Sequence, residues 1–408
     1  MFESPAGSLL LILAAAFLAP LISSRFPKLH LPALVFEILL GMLIGPEVLG
    51  LVKVTPPIEL LAEIGLATLI FLAGFELEFE RVKGRPMKLA LSGWFLSVVL
   101  ALAVTAVLLA LNVVKAEMYV AFALTTTALG TLLPILHDEG LLPTPFGAHV
   151  MAIGSVGEFL PIIAIALLLG GTDTSEATVA LLAFAVVAAA AVAYAARTPH
   201  PGHLRRQLGR TLRSSGQLYI RLALLTIAFL TFLASELSLD MLLGAFIAGI
   251  VYRLYTGAGA PEDELAVMET KLEAVSFGYV VPIFFVVTGV KFDLSALAAP
   301  TAMLKIPLFV LALLLVRGIP VLLYRKDITD SRSLLSLAFL SATGLPLIVA
   351  ITTIGVSMGE MRSSTAAALV GAGMISVILF PLFGLALAPD EREEPSPPSP
   401  SADPAVEL

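Results

Sequence analysis

Cysteine is absent from this 408-residue chain. That excludes a disulfide frame, thiol catalysis and a cysteine-bound metal. Histidine numbers only five, scattered along the chain, which leaves little for a zinc site. Charge is scarce too. Asp, Glu, Lys and Arg make up 13% of the residues, about half of the roughly 25% usual in a soluble domain. A water-facing surface cannot be covered with so few charges, so a soluble enzyme, a nucleic-acid binder and a disordered chain are excluded. The net charge of -7 decides little, because in a membrane protein the placement of charge matters more than its sum.

What is present is apolar. Residues of the apolar set make up 58%, and mean hydropathy is +0.99. A spanning helix needs about 20 mostly apolar residues. That ruler predicts thirteen spans, roughly 8–23, 33–52, 58–77, 88–112, 117–136, 149–170, 176–196, 216–234, 239–256, 273–290, 302–324, 333–356 and 364–388. Apolar stretches of helix length exclude a barrel, whose strands would alternate. The first span has its basic residues, Arg25 and Lys28, behind it, as in a retained helix rather than a cleaved signal.

Eighteen of the 24 Lys and Arg fall on one side of these spans, five on the other, and Arg317 lies inside one. The basic side is expected to be cytoplasmic, with the N-terminus outside and the C-terminus inside. The segment 197–215 carries five arginines and two histidines and reads as a connector held at anionic headgroups. Residues 389–408, rich in Pro, Ser and Glu, are expected to form a disordered cytoplasmic tail.

The fold expected is an all-α membrane domain over 1–388. Thirteen spans divide into six (about 8–170), a linker helix (176–196) and six (about 216–388). The odd linker reverses the second half, the layout of inverted-repeat transporters. The halves share a feature. Span 5 holds Thr125-Thr126-Thr127-Ala128-Leu129-Gly130 and then Pro134; span 12 holds Ser341-Ala342-Thr343-Gly344-Leu345-Pro346. Gly and Pro weaken a helix, and hydroxyls satisfy the freed backbone groups. Paired interrupted helices point to a transport site near the bilayer midplane.

An ionisable residue at mid-depth costs about 3 kcal/mol on insertion scales. Glu158 lies about nine residues from the cytoplasmic end of span 6, roughly 14 Å deep at 1.5 Å per residue. Arg317 lies roughly 10 Å deep in span 11 by the same ruler. Their depths allow them to face one another and neutralise each other. Glu158 reads as a carboxylate that binds a proton or a cation; Arg317 is its supporting partner, a structural ion pair being the alternative. Glu37 reads as a structural hydrogen-bonding residue and Glu63 as interfacial. Glu76, Glu78 and Glu80 mark a solvated helix end, or else a negative funnel for cations.

These residues resemble the cation:proton antiporter superfamily, in the branch of Kef-type and Nap-type exchangers. The resemblance covers about residues 8–388. Its marks are PALVFEILLGMLIGPEVLGL at 32–51, LAEIGLATLIFLAGFELE at 61–78, the Thr run of span 5, GSVGEF at 154–159, LGAFIAGIV at 243–251, FGYVVPIFFVVTGVKFDL at 277–294 and SATGLPLIVAITTIG at 341–355. It implies a sodium/proton-antiporter-like fold with two crossing discontinuous helices, a homodimer scaffold and a core that moves in an elevator-like way. It assigns the ion-binding carboxylate to Glu158 and its basic partner to Arg317. Thr126 and Thr127 map to the first crossing, with Ser155 on the same helix face as Glu158. Thr125, Ser341, Thr343 and Glu76 are expected in support. Relatives often carry Asp preceded by Asp, Asn or Gln; here the pair is Gly157-Glu158. One carboxylate favours electroneutral, one-for-one exchange.

The expected function is therefore antiport of Na⁺ or K⁺ against H⁺ in a bacterial inner membrane. No cofactor is expected; the cation is transported cargo held at Glu158. Kef-type relatives often add a cytoplasmic nucleotide-binding domain, which this sequence is expected to lack. The alternative is symport of an organic anion, with Arg317 binding a substrate carboxylate. Enzyme chemistry is not expected: no paired mid-membrane aspartates, Ser/His dyad or metal-ligand spacing stands out.

Overall fold

The computed structural model describes residues 4–25, 32–75, 84–115, 117–142, 144–169, 186, 211, 214, 216–237, 241–257, 262–292, 294 and 300–389. The linker helix 176–196 apart from Val186, most of the arginine segment 197–215, Glu76, Glu78, Glu80 and the tail after residue 389 lie outside the described residues.

The described residues form helices joined by turns and short irregular segments, without a strand. In chain order the helices are α1 Pro5–Ser23, α2 Ala33–Ile44, α3 Pro56–Phe75, α4 Arg85–Ala110, α5 Glu117–Leu124, α6 Leu129–Asp138, α7 Pro145–Leu169, α8 Leu218–Glu236, α9 Met241–Gly257, α10 Glu262–Val275, α11 Val281–Val290, α12 Pro300–Gly318, α13 Ser331–Ala342, α14 Pro346–Ser357 and α15 Ser363–Ala386. A π-helical turn, Ser276–Val280, joins α10 to α11, and α12 tightens into a 3₁₀ segment, Ile319–Lys326, at Pro320. Among the described residues nine helical stretches are long and apolar enough to cross a membrane, and three shorter apolar ones accompany them.

Both expected breaks are present: α5 stops at Leu124 and α6 starts at Leu129, while α13 stops at Ala342 and α14 starts at Pro346. Span 2 is shorter than the expected 33–52. Its helix ends at Ile44, because Pro46 has no N–H to donate and disfavours helical backbone at Gly45. The chain folds back there, with Leu51 N–H donating to the Ile44 carbonyl at 3.1 Å.

Packing follows a scheme that recurs in the two halves. Helix α1 packs on α2, and α8 on α9; α2 packs on α11, and α3 on α9. Likewise α4 packs on α5 and α7, and α12 on α13 and α15. Glycine makes two of these pairs close. Gly41 of α2 and Gly289 of α11 face each other so tightly that a Cβ on either meets the other's Cα at about 3 Å. Gly249 of α9 sits against the α3 backbone at Gly74. Small residues let membrane helices approach where lipid tails supply no hydrophobic drive.

Two groups of helices result. Core residues of α1–α3 pack with those of α9 and α11, and residues of α4–α7 pack with α12–α15. The groups share buried core residues, Phe159 and Ile162 of α7 among them, and there the Phe159 ring lies against the Phe246 ring of α9, centroids 5.0 Å apart.

Candidate functional site

The two breaks cross in direct contact. Ala128 N–H donates to the Thr343 carbonyl at 2.8 Å, and Thr127 N–H donates to the Gly157 carbonyl at 3.0 Å. The first break is therefore bonded both to the second break and to α7. Hydroxyls satisfy the helix ends as expected. Thr125 Oγ1 donates to the Phe122 carbonyl and Thr126 Oγ1 to the Ala123 carbonyl, each at 2.8 Å. Ser341 Oγ donates to the Ala338 carbonyl at 2.9 Å, and Thr343 Oγ1 to the Phe339 carbonyl at 3.2 Å. Thr126 also faces the second break, since a Cβ on Gly344 would lie 3.0 Å from its Oγ1.

Arg317 stands at the centre of this crossing, 4% exposed. Its Nη2 and Nε donate to Thr127 Oγ1 at 2.7 and 3.0 Å. Further donations run from Nε to the Ser341 carbonyl at 3.3 Å, from Nη1 to Ser97 Oγ at 3.3 Å and from Nη2 to the Ile153 carbonyl at 3.4 Å. Thr127 Oγ1 passes its own hydrogen to the Ser341 carbonyl at 2.5 Å. With two acceptor positions and one donor used, the Thr127 hydroxyl is full. These acceptors are neutral oxygens on α4, the first break, α7 and α13, near the negative end of the α13 dipole.

The described hydrogen bonds thus hold the arginine to Thr127, Ser341, Ser97 and Ile153. Glu158 is half-buried on α7, one residue past the Gly157 carbonyl that anchors Thr127. Ser155 is buried three residues earlier on the same helix. Gly157 has a steric role: a Cβ there would lie 2.6 Å from Arg317 Nη2 and 2.7 Å from Thr127 Oγ1. The missing side chain leaves the room in which guanidinium and hydroxyl meet.

Two site residues were not singled out by sequence. Ser97 on α4 accepts from Arg317 and donates to the Gly93 carbonyl at 3.0 Å. Ser376 on α15 accepts from Gly344 N–H at 3.2 Å and donates to the Gly344 carbonyl at 3.0 Å. Each is a serine in an apolar span, the only signal present. Glu63 is exposed, consistent with an interfacial place. Glu37 is buried, yet no hydrogen bond engages its carboxyl among the described residues. The structural hydrogen-bonding role expected for it is not seen, because the side chain faces a mostly apolar cavity.

The profile of the family described as sodium/hydrogen exchanger, transmembrane, matches residues 13–386. The chain belongs to that family. It is a multi-pass membrane protein of a family of cation/proton exchangers, which are transporters rather than enzymes. YjbQ of Bacillus subtilis (strain 168) is 28% identical over 401 residues, covering 94% of this chain and 63% of that protein. The chain thus spans less than two thirds of YjbQ. The Na(+)/H(+) antiporter NhaS4 of Synechocystis is 29% identical over 323 residues, covering 72% of this chain and 76% of NhaS4. The fold is similar to that of the sodium proton antiporter MjNhaP1 from Methanocaldococcus jannaschii, with TM-score 0.63 and 17% identity over 93% of this chain and 98% of that one.

Proposed function

We propose that this family member exchanges a monovalent cation, Na⁺ or K⁺, for H⁺ across a bacterial inner membrane, with Glu158 as the carboxylate for which the two compete. The observation that carries this reading is the placement of Glu158 beside the bonded crossing, next to the residue whose carbonyl holds the first break. A carboxylate there can take a proton, or can join hydroxyl and carbonyl oxygens around a partly dehydrated cation. Ser155 and Thr126 supply such oxygens, with Thr125, Thr343 and Ser341 framing them. Glu76 would act as a cation funnel from its helix end. Thr127, already saturated, acts as a positioning residue for Arg317.

Arg317 fixes the crossing and offsets the helix ends that point into it. Because its charge is constant, a single exchanging carboxylate leaves the cycle electroneutral, one cation for one proton. The two helix groups support an elevator-like cycle. The group α4–α7 with α12–α15 would move against a homodimeric scaffold built from α1–α3 and α8–α11. The repeats about 8–170 and 216–388, joined by the linker helix 176–196, would supply that division, with the N-terminus outside and the C-terminus in the cytoplasm.

The test is exchange in proteoliposomes, with internal pH followed as Na⁺ or K⁺ is added, with and without a clamped membrane potential. Glu158→Gln is expected to abolish exchange while the protein still inserts and keeps its oligomeric state. Full activity in that variant would sink the assignment. A rate or end-point that follows the potential would overturn electroneutrality.

A further inference from the structure

Glu37 is on α2, which packs chiefly on α1 and α11, and is 6% exposed. No hydrogen bond or ion pair engages it among the described residues. An ionised carboxylate is not left in such a place without a counter-charge. The cavity it lines measures about 430 Å³, within the range of about 300–1,000 Å³ usual for small-molecule sites. Its walls come from α1, α2, α11 and the π-helical turn, and the rings of Phe17, Phe277, Tyr279 and Phe285 are among them. The π-helical turn places consecutive residues Phe277, Gly278 and Tyr279 on this wall. Single π turns of this kind occur often at functional sites.

One acid among aromatic faces is the chemistry that recognises an organic cation. Ring faces attract a positive charge without donating hydrogen bonds, and the carboxylate accepts the N–H groups. Phe17, Phe277 and Tyr279 are exposed, so the cavity adjoins the outer surface of the helices. Glu37 sits four residues after the start of α2, about 6 Å along its axis. That end of α2 follows Arg25 and Lys28 and so lies near headgroup depth. An ammonium at Glu37 would therefore leave its apolar body in the hydrocarbon layer.

We propose that the Glu37 cavity is a binding site for a primary ammonium group carrying an apolar body, supplied either by a free amphipathic amine or by the headgroup of an aminophospholipid. The site is separate from Glu158 and does not depend on the transport reading.

The experiment uses the full chain in nanodiscs of phosphatidylglycerol, which brings no amine. Binding of hexylammonium is measured beside that of hexanol, its uncharged counterpart. Glu37→Gln is expected to weaken hexylammonium by about tenfold or more, the loss of one charged hydrogen bond, and to leave hexanol unchanged. Gly278→Phe is expected to weaken both, because space around that position is open and the ring fills the cavity. Hexylammonium binding that ignores either substitution overturns the proposal. Should Glu37→Gln fail to reconstitute, Gly278→Phe decides alone. Nanodiscs of phosphatidylethanolamine then separate the sources. Competition against hexylammonium assigns the lipid headgroup, and unchanged binding assigns the free amine; both outcomes stand only if the first arm succeeds.

Discussion

At the scale of single residues, Arg317 carries most of the organisation. Five hydrogen bonds leave its guanidinium for Thr127, Ser341, Ser97 and Ile153. Its planar fork is what lets one side chain reach acceptors on several elements; a lysine ammonium is a single point on a flexible stem. Arg317→Lys is therefore expected to lower stability by about 2 kcal/mol despite keeping the charge, as hydrogen bonds from a charged donor are lost in a buried place. Thr127→Val removes the same hub from the other side and is expected to lose a comparable amount. The double variant should lose clearly less than the sum, since both changes break one network. Thermal unfolding in detergent measures all three, and strict additivity would show that the network is not shared. Gly157 belongs to the same account. In the sequence it reads as a missing polar neighbour of Glu158; in three dimensions the gap is occupied by the guanidinium.

At the scale of elements, the breaks were legible because they combine Gly, Pro and hydroxyls in matching spans. The start of α13 is capped by a residue that the sequence did not single out. Asp330 is the N-cap of α13, accepting Ser333 N–H at 2.9 Å, Ser333 Oγ at 2.8 Å and Arg332 N–H at 3.2 Å. Those bonds, Ser333 N–H first, hold its carboxyl below the usual aspartate range. A carboxyl depressed in the folded state contributes stability above its unfolded pKa, and the contribution is lost as pH falls through the lower folded value. Asp330→Ala is expected to lower the melting temperature at neutral pH, and the difference from the parent should shrink as the solution is acidified below the ordinary aspartate range. A difference that persists undiminished at acid pH would assign it to something other than the ionised cap. Span ends were less legible. The stop of α2 at Ile44 reflects the Gly45-Pro46 step, which hydropathy alone reads through, since Val48, Leu49, Leu51 and Val52 keep the window apolar.

At the scale of the whole molecule, the two helix groups share a buried core in which Phe159 meets Phe246 beside the candidate carboxylate. If the groups move during exchange, tying them there must stop it. The absence of native cysteine makes the test clean. A variant with Phe159→Cys and Phe246→Cys, bridged by a short reducible bifunctional thiol reagent, is expected to lose exchange and to regain it when the bridge is reduced. The unbridged variant supplies the reference rate. Unaltered exchange in the bridged protein would argue against movement between the groups at that contact.

By itself the sequence determined the solvent and the parts. Thirteen percent charge in a 58% apolar chain demands lipid, because the free energy of transfer depends on composition and run length, which are one-dimensional properties. The hydroxyl-rich breaks, and Glu158 and Arg317 as the mid-span charges, follow from the same reading. Tertiary structure alone decided what those charges touch. The acceptors of Arg317 lie on four segments as much as 220 residues away in the chain, and no spacing rule brings such segments together. It also decided that Glu37 faces a cavity rather than a hydrogen-bonding partner, since burial of one side chain depends on where neighbouring helices leave space.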